Sequence, residues 1–248
     1  MINFLLLLYG IFLGSFYNVV GLRVPAGKSI VYPGSHCPSC GHKLKPLELI
    51  PVLSYFIQKG KCRGCGSRIS PIYPSIEFLT GVLFATTPLV VGWTPELIIA
   101  LTLISLFIII FVSDIAYMII PDKVLLVFAG IFLLERIFIP LIPWWDSLVG
   151  GAIGFVLLLV IALVSKGGMG GGDIKLFALI GFVVGTKTLL LSFFFSTLLG
   201  AVLGLLGMAF GLVKKGKPIP FGPFIAVGTL IAYYYGDSLI SMYLNLYF

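Results

Sequence analysis

Charge is scarce in this chain: of 248 residues only 10% are charged, and the acidic residues number nine. So little polar surface cannot cover a soluble globule of this size. The net charge of +7 is not gathered on a soluble module with polar or aromatic readers, which excludes nucleic-acid binding. No basic residue precedes the first apolar run and no A-x-A site follows it, so that run reads as a retained helix, not a signal peptide. Histidine is limited to His36 and His42, neither with a serine or cysteine nucleophile placed for a Ser/His/Asp mechanism. No G-x-G-x-x-G nucleotide fold, low-complexity tract or soluble repeat is present, nor are there repeated halves with matching broken helices, as transporters have.

What the chain has in abundance is apolar sequence, 59% of it, with a mean hydropathy of +1.15. A hydrocarbon core about 30 Å thick needs roughly 20 apolar residues per helix, and such runs recur along nearly the whole chain. They predict an all-α membrane protein with about eight transmembrane helices, over 3–22, 72–92, 96–113, 123–142, 147–165, 174–186, 188–213 and 222–240. The sixth run is short: at about 1.5 Å per residue it reaches only about 20 Å, so it is tilted, re-entrant or sheltered by its neighbours. The 30 glycines are dispersed through the spans, as expected where helices approach closely.

The basic residues are unevenly placed. Eight lie between residues 23 and 71, and Lys123, Lys166, Lys175, Lys214, Lys215 and Lys217 fall on the same side of the predicted topology, leaving Arg136 and Lys187 opposite. By the positive-inside rule that side is cytoplasmic and both termini are outside. The loop 23–71 is then a cytoplasmic domain, and it holds all four cysteines. They read CPSC at 37–40 and CRGC at 62–65, 21 residues apart, slightly longer than the usual four-cysteine zinc spacing. Cys37, Cys40, Cys62 and Cys65 close a tetrahedral thiolate shell with no open position, which makes the zinc structural. A reducing cytoplasm disfavours the alternative, a pair of disulfides. His36 and His42 flank the first knuckle and could stand in for a cysteine, although a histidine beside a knuckle is more often only exposed.

Two aspartates sit where an ionisable group needs a reason. Asp114 closes the third span in SDIAYMIIPD, and Asp173 opens the sixth in GMGGGDIKL. The topology puts both at the cytoplasmic edge. Two carboxyls brought close cannot both ionise easily, so one keeps its proton while the other is charged. Such a pair can activate a water for peptide hydrolysis without a metal or a covalent intermediate. The bland readings are an N-cap for Asp173 in a flexible loop and an interfacial, snorkelling Asp114. Asp122, just before a new span, suits a helix start better than catalysis. Glu77 is either buried near the zinc loop with a basic partner or snorkelling.

The stretches GSFYNVV at 14–20, the paired CxxC loop, KCRGCGSRISPIYPSIEFLTG at 61–81, DIAYMIIPD at 114–122, GMGGGDIKL at 168–176 and PIPFGPFIAVG at 218–228 together resemble the type IV prepilin peptidases. The resemblance runs in order over nearly the full chain. LELIPVLSYFIQKGKC and the compact length look most like the competence-type members of Gram-positive bacteria. The resemblance implies a bifunctional enzyme in the cell membrane. It would cleave the leader of pilin and pseudopilin precursors after glycine, then N-methylate the exposed residue from S-adenosylmethionine. It places the family's catalytic aspartates on Asp114 and Asp173 and its zinc ligands on Cys37, Cys40, Cys62 and Cys65. Residues 1–92 would form the methyl-transfer region and 93–248 the peptidase region. A bulky pair commonly precedes the first-loop arginine in that family, where this chain has Gly21 and Leu22. A presenilin-like intramembrane protease lacks such a zinc loop, and in a non-enzymatic scaffold the aspartates would tolerate replacement.

Overall fold

A computed structural model describes residues 1–165, 168–211 and 219–247. Lys166, Lys214, Lys215, Lys217 and Pro218 lie outside the described residues. The described residues are all-α apart from two isolated bridges in the loop. Its helices are α1 (Ile2–Arg23), α2 (Leu53–Ile57), α3 (Ile72–Val91), α4 (Glu96–Tyr117), α5 (Asp122–Phe138), α6 (Asp146–Val164), α7 (Gly171–Ala209) and α8 (Gly222–Tyr247), with a 3-10 turn over Pro46–Glu48. α1, α3, α4, α6 and α7 are long and apolar enough to cross a membrane. The protein is a multi-pass membrane protein.

Several predicted boundaries move, each for a physical reason. The span expected over 123–142 stops at Phe138, because Pro140 disfavours helix in the residue before it and cannot continue one. The third span runs past residue 113 to Tyr117, so Asp114 lies inside its last turn instead of ending it. The sixth and seventh spans form one helical element broken at Gly185, whose φ of 78° and ψ of 173° are not helical. Glycine is needed there: its φ is costly for a side-chain-bearing residue, and a Cβ would run into the Asp146 carboxylate.

The chain divides into two compact units, Met1–Val112 and Ser113–Phe248. In the first, α1 packs on α3 through small residues. A Cβ on Gly10 would lie 2.8 Å from Gly81 Cα, and one on Gly14 would lie 2.9 Å from Glu77 Cα. Gly21, where the bulky pair was expected, likewise has no room for a side chain, because Val112 Cβ stands 2.8 Å from where its Cβ would be. The Tyr17 hydroxyl donates to Ser105 Oγ at 2.7 Å, tying α1 to α4 with a buried polar bond.

In the second unit α6 and α7 touch backbone to backbone. Gly150 meets Gly181, and a Cβ on Gly154 would lie 2.5 Å from the Phe177 carbonyl oxygen. This shelters the short segment 171–184, as its length required. The break at Gly185 is held by side chains that satisfy the groups it frees. Arg136 Nε donates to the Val183 carbonyl at 2.7 Å, and Asp146 accepts from the Thr186 N–H at 3.2 Å and its hydroxyl at 2.6 Å.

Candidate active site and thiol cluster

α4 carries Asp114 into the second unit on its last turn. The carboxyl is buried, 6% exposed, and its Oδ2 accepts the Gly222 N–H at 2.7 Å. Gly222 is the first residue of α8, so the unpaired N–H groups at a helix start face the acid. Beyond Asp114 the chain turns sharply: Met118 takes a left-handed φ of 55° and donates its N–H to the Asp114 carbonyl at 2.8 Å.

Asp173 lies in the first turn of α7, where its Oδ2 accepts the Gly170 N–H at 3.2 Å. This is the capping-box contact of an acid at the third position of a helix whose N-cap is Gly170, and it accounts for one oxygen only. The glycine run allows a close approach: a Cβ on Gly172 would stand 2.8 Å from Ile120 Cβ. That brings the start of α7 against the segment following Asp114, and the two carboxylates lie within electrostatic reach of each other. Each is tied through one oxygen to a backbone N–H, which leaves each the other oxygen for a water or a peptide carbonyl.

Asp122 has a different partner. It opens α5, as its position before a span predicted, and accepts from Lys175 Nζ at 2.7 Å in an exposed ion pair.

The thiol cluster lies in the first unit. The four cysteine sulfurs fall within 4.8 Å of one another, with Cys37–Cys65 and Cys40–Cys62 at 3.9 Å. Zinc–thiolate bonds of about 2.3 Å give a tetrahedron with edges of about 3.8 Å, so the residues present fit zinc, and the four cysteines are free thiols. The two knuckles repeat one another. Cys37 N–H donates to the His42 carbonyl and Gly41 N–H to the Cys37 carbonyl; Cys62 with Ser67 and Gly66 with Cys62 make the same pair of bonds. Gly41 and Gly66 share a left-handed φ, 72° and 74°. The repeat was legible as CPSCGHK and CRGCGSR, but was not read as one. The Ser67 hydroxyl and the N–H groups of Cys40 and Ser39 hold the Cys37 thiol down to about 5, whereas the neighbouring thiols and burial push Cys40 up to about 12, so the four sulfurs share protons that a metal would displace.

Neither histidine takes a cysteine's place. His36 Nδ1 bonds the Gly34 carbonyl and His42 Nε2 bonds Glu48 at 3.1 Å. Glu48 was missed in sequence. It is buried, accepts the Lys45 N–H at 2.8 Å and lies 3.8 Å from Arg63 Nε, so it clasps the two knuckles together. The Lys45 N–H and His42 hold its carboxyl below the usual range. The signal was available, since Glu48 is the sole acid between residues 23 and 71.

Two family models match the chain: the bacterial peptidase A24 N-terminal domain over residues 8–91 and the type IV leader peptidase family over residues 101–205. A protein of Bacillus subtilis (strain 168) named prepilin leader peptidase/N-methyltransferase is 48% identical over 98% of both chains. The chain belongs to the type IV leader peptidase family. Relatives of the same name from Aeromonas salmonicida (strain A449) and Pseudomonas aeruginosa are each 32% identical, over 97% and 96% of this chain and 93% and 92% of theirs. No solved structure matches the chain. The leader peptidase match contains Asp114 and Asp173, and the N-terminal match contains the four cysteines.

Proposed function

We propose that the chain is a bifunctional membrane enzyme. It cleaves the leader of type IV prepilin-like precursors after glycine, with Asp114 and Asp173 as the catalytic pair, and N-methylates the residue so exposed. The observation that carries the reading is the pair itself: two carboxyls at helix ends, each bonded to a backbone N–H, with the start of α7 packed on the residues that follow Asp114, in the segment that matches the leader peptidase family. One carboxylate takes a proton from water, whose oxygen attacks the scissile carbonyl carbon, while the other carboxyl donates its proton to the carbonyl oxygen. The tetrahedral intermediate then collapses, the C–N bond breaks and the departing amine receives a proton. S-adenosylmethionine, when bound, supplies the methyl group for the second reaction.

In this reading residues 1–92 hold methyl transfer and 93–248 hold cleavage. Zinc on Cys37, Cys40, Cys62 and Cys65 shapes the loop and does no chemistry, because four thiolates leave no place for an activated water. The loop and the acid pair face the cytoplasm, in contact with membrane lipid at their edge, as the side richer in basic residues does. The 48% identity to the Bacillus subtilis relative supports a competence-type enzyme. Incubating purified protein with a prepilin peptide and S-adenosylmethionine, then mass-analysing the products, tests both steps in one spectrum. The expected products are the free leader and a mature fragment heavier by one methyl group. An intact peptide with the wild-type protein would sink the reading.

A further inference from the structure

On the loop side of the first unit stands a polar cluster that neither the acid pair nor the zinc loop uses. Glu77 on α3 is 9% exposed and Asn18 on α1 is 4% exposed. Gly14, a turn before Asn18, lets α1 close onto the Glu77 backbone. Glu77 Oε2 accepts the Val52 N–H at 2.7 Å. Among the described residues no lysine, arginine or histidine pairs with Glu77, contrary to the basic partner considered from sequence. Asn18 Nδ2 donates at 3.2 Å to the carbonyl of Tyr73, one helical turn before Glu77. Its Oδ1, buried, has no partner. The loop meets this cluster through Val52, held at a left-handed φ of 63°, a conformation a β-branched residue adopts only under constraint.

A buried carboxylate without a counter-ion and a buried amide oxygen without a donor both cost stability. Apolar residues packing α1 on α3 would avoid that cost, so packing does not explain them. What they lack in common is a donor that is also positively charged. An ammonium group, with three N–H donors and no acceptor, supplies both.

We propose that Asn18 and Glu77 form a binding site for a ligand ammonium group in the methyl-transfer step. The inference rests on assigning methyl transfer to residues 1–92. Two participants carry that group: the newly exposed N-terminus of the substrate and the amino-acid end of S-adenosylmethionine.

The test uses the full chain in detergent with Glu77→Gln, which keeps an oxygen for the Val52 N–H, and Asn18→Leu, which removes the orphan oxygen. Binding of S-adenosylhomocysteine is measured by calorimetry, and KM and kcat for methylation are measured on a peptide already lacking its leader. Leader cleavage and zinc content report folding. With folding intact, Glu77→Gln should weaken one affinity by about tenfold or more, the loss expected for a charge-assisted hydrogen bond. A rise in S-adenosylhomocysteine Kd assigns the site to the cofactor. A rise in peptide KM at unchanged Kd assigns it to the substrate amine, and an N-acetylated peptide should then fail to compete with wild-type substrate. If both variants are folded and keep Kd and KM within about twofold, the range of an uninvolved substitution, the ammonium site is overturned while methyl transfer stands. A wild-type protein that cleaves but neither methylates nor binds S-adenosylhomocysteine overturns both. Should Glu77→Gln lose zinc and cleavage together, Asn18→Leu decides by the same measurements.

Discussion

Asp114 gives up its water on folding and receives one backbone N–H, from Gly222, in return; Asp173 receives one from Gly170. An asparagine at either position can still accept that bond, so Asp114→Asn and Asp173→Asn should leave the helices in place. Each would remove one half of the proposed acid–base pair, and leader cleavage should fall by about 10³-fold, within the range a positioned general acid or base contributes. Asp122→Asn should retain activity, because its carboxylate is already engaged in an exposed ion pair with Lys175. A rate assay on the three purified variants decides, and an inactive Asp122→Asn beside an active Asp114→Asn would reverse the assignment. The acids were legible because a carboxylate inside apolar sequence is conspicuous. Gly222 was not, since a backbone N–H that meets an acid 108 positions away has no local pattern. Asn18 passed unseen for a similar reason: an amide in an apolar helix reads the same whether or not its oxygen finds a donor.

Helices followed hydropathy closely where apolar runs were bounded by loops, and less well where polar residues continue a helix. α8 extends to Tyr247 through Ser241 and Asn245, beyond the predicted end at 240, because hydropathy locates a span better than its ends. The contact of α6 with α7 depends on missing side chains. Gly181→Val would drive two methyl groups into the Gly150 backbone, and should cost about 3 kcal/mol or more, at the upper end for overpacking. A thermal unfolding scan in detergent should show the drop, and an unchanged midpoint would mean that these helices do not pack through that glycine. In the zinc loop, Glu48 has its pKa depressed by folding. The stability it gives is therefore present above the ordinary carboxylate range and lost as pH falls through the lower, folded value. Glu48→Gln should release zinc at higher pH than wild type, read by a metal-sensitive dye across an acid titration; coincident release curves would remove Glu48 from the clasp.

At the scale of the molecule, the thiol cluster belongs to Met1–Val112 and the two aspartates to Ser113–Phe248, so the proposed structural zinc and the proposed acid pair fall in separate compact units. Placement in the membrane is a property neither unit states alone. It comes from the bias of basic residues, and a labelling map should find residues 23–71 reachable from the cytoplasm; an external loop would revive disulfides at the cysteines. The division into units also sets what zinc removal does. The cluster shapes a loop whose Val52 N–H meets Glu77, within the unit assigned to methyl transfer, whereas hydrolysis by two carboxyls needs no metal. Because metal binding of this kind is also folding free energy for the loop, a Cys62→Ser/Cys65→Ser variant should carry about one zinc fewer per chain. Its methyl transfer should fall by more than its cleavage rate. Metal analysis under reducing conditions, with both rates measured on the same preparation, gives the answer. Wild-type protein without zinc, or a zinc-free variant that is folded yet as inactive in cleavage as Asp173→Asn, would show that the loop and the acid pair do not divide the work in this way.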